Sequence, residues 1–315
     1  IAGAHNIPLF TDEERAEIGT IYKQTNREAA IKKGVEHATP KLKWYIGESQ
    51  KIARNNEILV HCWRGGMRSE RFAGLCKTAG IKVSLLEGGY KAYRRSIRGR
   101  FRECQRLIVL SGMTGCGKTE ILHELETLGE QVVDLEGFAN HKGSAFGFIG
   151  QKPQPTNEQF ENDIAGVWQN FDMAKRIWIE SESLRIGKVV INDVLFAEMK
   201  AAFAYIIEVS DNVRLNRLER DYCDFPTDEL IALVAKIKER LGSHNADKVI
   251  GFLENGQYRQ AIKVLLNYYS KSYVYGIKRR NEKHTHMLQF DDENSSPDAI
   301  AKKLIETDNL KLQKL

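Results

Sequence analysis

Long apolar runs are missing from this 315-residue chain, and none approaches the ~20 residues that a membrane-crossing helix needs. A basic segment followed by an apolar one, the mark of a secretory leader, is missing as well. So is an initiator Met, and Ile1 reads as the first residue of a shortened record. Cysteine is sparse: Cys62, Cys76, Cys104, Cys116 and Cys223 are odd in number, widely spaced and contain no CxxC pair. That argues against a disulfide framework or a zinc site and points to a reducing, cytoplasmic compartment in which free thiolate chemistry can operate. There is no internal repeat and no low-complexity segment. With 42% hydrophobic and 28% charged residues the balance is globular, and the length suits two domains of ordinary size.

The net charge of +5 is unevenly placed: residues 1–105 carry +9 and residues 106–315 carry −4. A basic front half is compatible with a polyanionic partner and does not establish one. Seven of the basic groups lie between Lys91 and Arg106, beside a single acid, and this stretch marks the domain junction. The division expected is 1–98 and 99–315.

Two α/β patterns follow one another. In the first, residues 57–62 read as a short buried strand, Ser69–Ala79 as a helix and Lys82–Leu86 as a strand. Thr11 stands ahead of Asp12, Glu13 and Glu14 as a helix N-cap. In the second, strand Leu107–Leu110 leads through glycines into a helix from Lys118 to Leu128. Strands are expected at Gln131–Leu135, Val189–Asn192 and Ala204–Val209, and helix dominates after Asn212. The fold class is therefore α/β, a parallel-sheet domain followed by a second α/β domain with a helical C-terminal part.

The first candidate site is His61-Cys62-Trp63-Arg64-Gly65-Gly66-Met67-Arg68-Ser69. A cysteine between a parallel strand and a helix N-terminus sits where main-chain amides and the helix dipole favour anions. Gly65 and Gly66 let the loop curl, and Arg64 and Arg68 add positive charge, so the thiol of Cys62 is expected to ionise readily. The same cradle, Arg64 through Ser69, suits a tetrahedral oxyanion. Cys76, on the apolar face of the next helix, reads as an ordinary core cysteine. The Cys-x5-Arg-Ser spacing also fits a cysteine-dependent phosphatase, in which the thiolate attacks phosphorus.

The second is Gly112-Met113-Thr114-Gly115-Cys116-Gly117-Lys118-Thr119, a phosphate-binding loop. Its amides wrap a phosphate, Lys118 reaches the outer phosphates and Thr119 can ligate Mg²⁺. Asp134 is the first choice for the carboxylate that completes a Mg²⁺ site, with Asp193 second; a solvated acid is as good an account of either. Arg214, Arg217 and Arg220 could cover phosphates as a lid or form a solvated basic face. A P-loop kinase or ATPase with the cysteine module as a sensor stays open at this point.

Wider stretches carry a resemblance. Leu-Leu-Glu-Gly-Gly-Tyr at 85–90 and Ala-Gly-Ala-His-Asn-Ile-Pro-Leu at 2–9 are similar to segments of the rhodanese fold, whose first strand would precede Ile1. Most rhodaneses have four residues between cysteine and arginine where this loop has five, which implies a wider pocket. A module reading Cys-Trp-Arg-Gly-Gly-Met-Arg-Ser, joined through Gly-Gly-Tyr-Lys-Ala-Tyr-Arg to a P-loop module, resembles the tRNA 2-selenouridine synthases. Gly137–Gly147, Gln154–Thr156 with Gln159–Glu161, and Ile179–Ser183 are similar to that family too. The resemblance implies a transferase that converts wobble 2-thiouridine of tRNA to 2-selenouridine with selenophosphate, through S-geranylation by geranyl diphosphate. It makes Cys62 the catalytic cysteine. It also makes the basic junction, with Arg94, Arg95, Arg98, Arg100 and Arg102, the expected tRNA contact, and leaves Tyr90, Tyr93 and Phe101 to stack bases. Lys271–Lys283 offers a second basic, aromatic stretch.

Overall fold

A computed structural model describes the backbone of residues 1–104, 106–277 and 284–312, with side chains except in 271–277 and at Leu312. The chain divides into two compact units, Ile1–Ile97 and Arg98–Leu315.

The first unit begins with helices α1 (Asp12–Gln24), α2 (Arg27–Ala38) and α3 (Leu42–Ile52). Thr11 caps α1 as its sequence suggests: its hydroxyl accepts from the Glu14 amide, and the Glu14 carboxylate accepts from the Thr11 amide at 2.8 Å. Such a cap is worth about 1 kcal/mol. Strands β1 (Glu57–Val60) and β2 (Lys82–Leu85) pair in parallel around α4 (Met67–Thr78), and α5 (Gly89–Arg100) follows. The strand expected at 57–62 stops at Val60, which leaves His61 and Cys62 in the loop. It is also less buried than its apolar run suggested: Leu59 is 61% exposed and Leu85 42%, because a two-stranded sheet leaves side chains of both strands uncovered. Cys76 is fully buried, as expected, with Ser49 Oγ 3.4 Å away.

The second unit is built on five parallel strands in the order β4-β5-β3-β8-β9. These are β3 (Leu107–Gly112), β4 (Gln131–Val133), β5 (Ile177–Glu180), β8 (Phe203–Glu208) and β9 (Thr285–Gln289). Strand β3 is central, and Val109 and Leu110 are fully buried because helices cover both faces. One face packs on Val133, Phe160, Trp168 and Leu195, the other on Ile121, Leu125, Ile300 and Leu304. The helices are α6 (Lys118–Thr127), α7 (Leu135–Ala139), α8 (Asn157–Trp168), α9 (Asp193–Ala201), α10 (Asp211–Tyr222), α11 (Thr227–Lys236), α12 (Lys238–Leu241), α13 (Ser243–Glu254), α14 (Tyr258–Ile277) and α15 (Pro297–Leu312). Chain order reverses at β3: β4 lies beyond β5 on one side while β8 and β9 extend the other. The carboxyl end of β3 is thus a topological switch point, where α/β sheets bind ligands.

Three expectations are corrected here. Val189–Asn192 is not a sheet strand; only Val189–Val190 (β7) is extended, and it pairs antiparallel with Arg185–Ile186 (β6) in a separate hairpin. Gln131–Leu135 shortens to β4, since Asp134 leaves the strand to cap α7. The helical C-terminal part is interrupted by β9, which joins the sheet beside β8.

Candidate functional site

Cys62 lies in a loop whose conformation is imposed by close packing. Gly65 has φ +68°, and a Cβ there would meet the Gly89 nitrogen at 2.7 Å. At Gly89, φ +60°, a Cβ would lie 2.3 Å from the Cys62 carbonyl. Only glycine fits either position. The first amides of α5, which have no partner inside their own helix, donate to the loop: Tyr90 to the Cys62 carbonyl at 2.9 Å and Lys91 to the Trp63 carbonyl at 3.0 Å. The Gly-Gly turn is therefore the floor of the cysteine loop.

Ser69 Oγ lies 3.3 Å from Cys62 Sγ and 2.9 Å from the Gly66 carbonyl. Burial pushes the thiol up. The Ser69 hydroxyl and the amides of Arg64, Ser69 and Gly66 outweigh it and bring Cys62 down to about 7. Arg64 acts through its amide; its side chain and that of Arg68 are exposed, where water screens their charge. Beside the thiol stands an aromatic group that sequence reasoning did not assemble. Trp63 is 45% exposed, its ring 5.3 Å from Tyr90, and Tyr90 stacks on Tyr93 at 6.4 Å.

At the end of β3, Gly112 passes so close to Cys116 that a Cβ would lie 2.4 Å from its sulfur, and Cys116 is buried as packing. Gly115 and Gly117 have φ of +82° and +87°, which turn the loop. Met113 and Thr114 lie between them and Gly112. Lys118 Nζ donates to the Gly112 carbonyl at 3.2 Å. The arginines of α10 form neither a lid nor a solvated face. Arg214 is buried and its Nε donates to the Thr114 carbonyl at 2.9 Å, while Arg217 donates to the Cys116 carbonyl at 3.0 Å and to Glu120 at 2.7 Å. Both hold the loop by its carbonyls. Arg220 pairs with Glu120 and Asp221.

Thr119 donates its hydroxyl to Glu136 at 3.1 Å. Asp134 is engaged elsewhere, accepting from the Gly137 amide at 2.7 Å and lying 3.0 Å from His123 Nε2. Asp193 is an exposed first residue of α9. Glu136 belongs to a set that the sequence did not announce. The amide of Glu136 donates to Glu180 at 2.7 Å, and a Cβ at Gly143 would meet both Glu136 and Glu182. Burial, then repulsion from Glu136, pushes Glu182 up to about 8 and Glu180 well above the carboxylate range. Glu136 is raised by burial, against the pull of Lys118. Among the described residues no group of three or more His, Cys, Asp and Glu is arranged to hold a metal by itself.

The junction is helix α5 followed by a turn. Arg95, Arg98, Arg100 and Arg102 are exposed and Arg94 is half-buried. Arg98 pairs with the buried Glu161 at 3.2 Å. Phe101 is not available to stack on a base: it is 1% exposed and packs edge-on against Trp168 at 5.1 Å, whose indole donates to the Arg100 carbonyl. The side chains of Lys271–Lys283 lie outside the described residues.

An ionisable cysteine in an amide loop, in one unit, and a phosphate loop at a sheet switch point, in the other, define a rhodanese-like domain joined to a P-loop domain. The rhodanese-like domain family matches residues 1–96, and the family described as tRNA 2-selenouridine synthase AAA domain matches residues 105–298. The chain belongs to the tRNA 2-selenouridine synthase family. A protein of that name from Shewanella oneidensis is 38% identical over 224 residues, covering 69% of this chain and 58% of its own length. Those of Shewanella frigidimarina and Shewanella halifaxensis are 28% and 30% identical, each over 88% of this chain and over 84% and 85% of themselves. No described helix is long and apolar enough to cross a membrane.

Proposed function

We propose that this chain is a cytoplasmic transferase that exchanges the sulfur of wobble 2-thiouridine in tRNA for selenium, using selenophosphate and passing through an S-geranylated base made from geranyl diphosphate. The observation that carries the reading is the Cys62 thiol held near 7 by loop amides and Ser69, in a chain that also bears a phosphate loop. Alkylation comes first: the thiocarbonyl sulfur attacks C1 of geranyl diphosphate, the C–O bond breaks and diphosphate leaves. The sulfur becomes a leaving group.

Electron counting narrows the part of Cys62. Selenium in selenophosphate is already at the selenide level, so a thiolate that took selenium as S–Se would leave phosphorus two electrons richer, with nothing to accept them. Attack on phosphorus is redox-neutral. The S–P bond forms, the P–Se bond breaks, and hydrogen selenide anion departs. It adds at C2 of the alkylated base and expels geranyl thiolate, which takes a proton from water; a second water cleaves S–P and frees phosphate and Cys62. A loop of amides suits the phosphoryl oxygens, and the five-residue spacing to Arg68 is the phosphatase-like feature that favours phosphorus as the target. Thr119 and Glu136 offer hard oxygen donors for Mg²⁺, which, when bound, would neutralise charge on the diphosphate.

The test is incubation with 2-thiouridine tRNA, selenophosphate and geranyl diphosphate, followed by nucleoside mass analysis. The 2-selenouridine mass is expected, with the S-geranyl nucleoside accumulating when selenophosphate is withheld. Rapid hydrolysis of an aryl phosphate with no change in the tRNA would make the protein a phosphatase instead.

Exposed cations of the junction are the proposed tRNA contact. Arg98 is a poor choice for substitution, since it pairs with the buried Glu161, so the test uses R95Q, R100Q and R102Q together. tRNA binding is expected to weaken, and each lost phosphate contact to flatten the slope of log K against log salt by about 0.7–0.9. Unchanged binding across a salt series would remove the junction from the interface.

A further inference from the structure

The polar groups around Cys62 serve the thiolate and phosphoryl oxygens, and they leave an apolar surface beside it without a task. Trp63 follows the cysteine directly, and close to half of its surface faces solvent. Its backbone is fixed, because the Trp63 carbonyl accepts from the Lys91 amide at 3.0 Å. Its ring is backed by Tyr90, 5.3 Å away, and Tyr90 is flanked by the rings of His61 and Tyr93, each at 6.4 Å. On the other arm of the loop stands Met67, the first residue of α4 and 37% exposed. It follows Gly66, whose carbonyl is 3.9 Å from Cys62 Sγ. Apolar residues scattered singly over a surface need no explanation, but a tryptophan and a methionine on the two arms of one reactive loop form a patch.

The chemistry at Cys62 says what covers it. Hydrogen selenide anion released at the thiol adds at C2 of the base, so C2 and the sulfur it carries come close to the loop. A hydrocarbon chain on that sulfur starts there and lies along whatever surface flanks the thiol. The exposed guanidinium groups of Arg64 and Arg68 keep their water and offer such a chain nothing. The indole and the thioether shed water on contact and gain dispersion contacts in return. The patch also adjoins the proposed tRNA contact, since Tyr90 stands on α5, whose next turns carry Arg95.

We infer that Trp63, with Met67, is the subsite that holds the hydrocarbon chain of an S-alkylated base while selenium replaces its sulfur. The subsite makes the Cys62 half of the protein select alkylated over unalkylated tRNA, so that selenide is not spent on a base whose sulfur leaves poorly. The inference rests on the reading above in one respect, that an S-alkylated base is what meets Cys62.

Equilibrium binding isolates the subsite from both chemical steps. tRNA carrying 2-thiouridine, S-methyl-2-thiouridine or S-geranyl-2-thiouridine at the wobble position is titrated into wild type, Trp63→Phe and Trp63→Ala, with no selenophosphate or geranyl diphosphate present. Wild type is expected to prefer the S-geranyl over the S-methyl tRNA by about ten- to a hundredfold, as the burial of a chain against an indole face provides. Trp63→Ala is expected to lose most of that preference, and Trp63→Phe, which keeps a flat ring, to retain part of it. Three results would overturn the inference. Equal weakening of all three tRNAs in Trp63→Ala would make the indole a base-stacking ring or a support for the loop. A preference that survives in Trp63→Ala would place the chain elsewhere, and an absent preference in wild type would leave no chain site at all. Conversion of S-geranyl tRNA to 2-selenouridine, read separately by nucleoside mass, tests the underlying reading, and its failure is distinct from all three.

Discussion

The Cys62→Ala protein is expected to incorporate selenium at least about a thousandfold more slowly than wild type and to accumulate the S-geranyl nucleoside instead. The expectation follows from the proposed division of labour, in which the thiolate releases selenide from selenophosphate and alkylation uses the phosphate loop. The pH dependence of the selenium step carries the signature of the thiol. With the group at about 7, the thiolate fraction is small at pH 6 and nearly complete at pH 8, so the rate rises through neutrality and levels off. The Ser69 hydroxyl makes the largest favourable contribution to that ionisation. Ser69→Ala therefore moves the midpoint of the rise upward, toward the ordinary thiol value, while the plateau at high pH is largely kept. A loss equal at every pH would mean that Ser69 only shapes the loop. Rapid-quench mass spectrometry of wild type with selenophosphate alone should find Cys62 carrying a phosphoryl group. Selenium uptake at the wild-type rate in Cys62→Ala would remove this residue from the mechanism.

Much of both loops could be read from residues close in sequence, because a strand, a glycine turn and a helix N-terminus are local devices. Gly112, Gly115, Gly117 and Lys118 lie within one such unit, and so do Cys62 through Ser69. What could not be read depends on elements far apart in the chain. Glu136 meets Thr119 and Glu180 only because β5 is laid beside β3, a pairing between distant segments that the local sequence of Ile177–Glu180, though strand-like in composition, does not specify. Strand β9 escapes for the opposite reason: Thr285–Gln289 is an edge strand with polar, mostly exposed residues, so the alternation that marks a half-buried strand is faint. Phe101 and Arg217 show a third limit. A basic, aromatic junction looks the same in sequence whether its ring faces solvent or the core, and three arginines at helical spacing do not reveal that two of them grip carbonyls of the phosphate loop. The stretches Gly137–Gly147 and Ile179–Ser183, noticed only as family resemblance, acquire a physical meaning once Gly143 is seen packed against Glu136 and Glu182.

Lys118→Ala is expected to lose geranyl transfer by about a thousandfold while leaving the Cys62 chemistry intact, so that tRNA already carrying the S-geranyl base is still converted to 2-selenouridine. The loop amides still draw phosphate in, but the charge that builds on the departing diphosphate has lost the counter-charge of the Lys118 ammonium, an effect of several kcal/mol in a partly desolvated site. The glutamates make this sharper. An anion site bordered by Glu180 and Glu182 works only while those two carboxyls stay largely protonated, which burial and repulsion from Glu136 ensure at neutral pH. Ionisation of Glu182 near 8 then places a negative charge beside the diphosphate, so alkylation is expected to decline as pH rises through that value. The two half-reactions thus bend in opposite directions, selenium release climbing through about 7 and alkylation falling through about 8. Glu182→Gln, which cannot ionise, should extend alkylation to higher pH without moving the selenium profile. Alkylation that survives Lys118→Ala at the wild-type rate, or a Glu182→Gln profile that still falls at the same pH, would separate the phosphate loop from the transfer of the alkyl group.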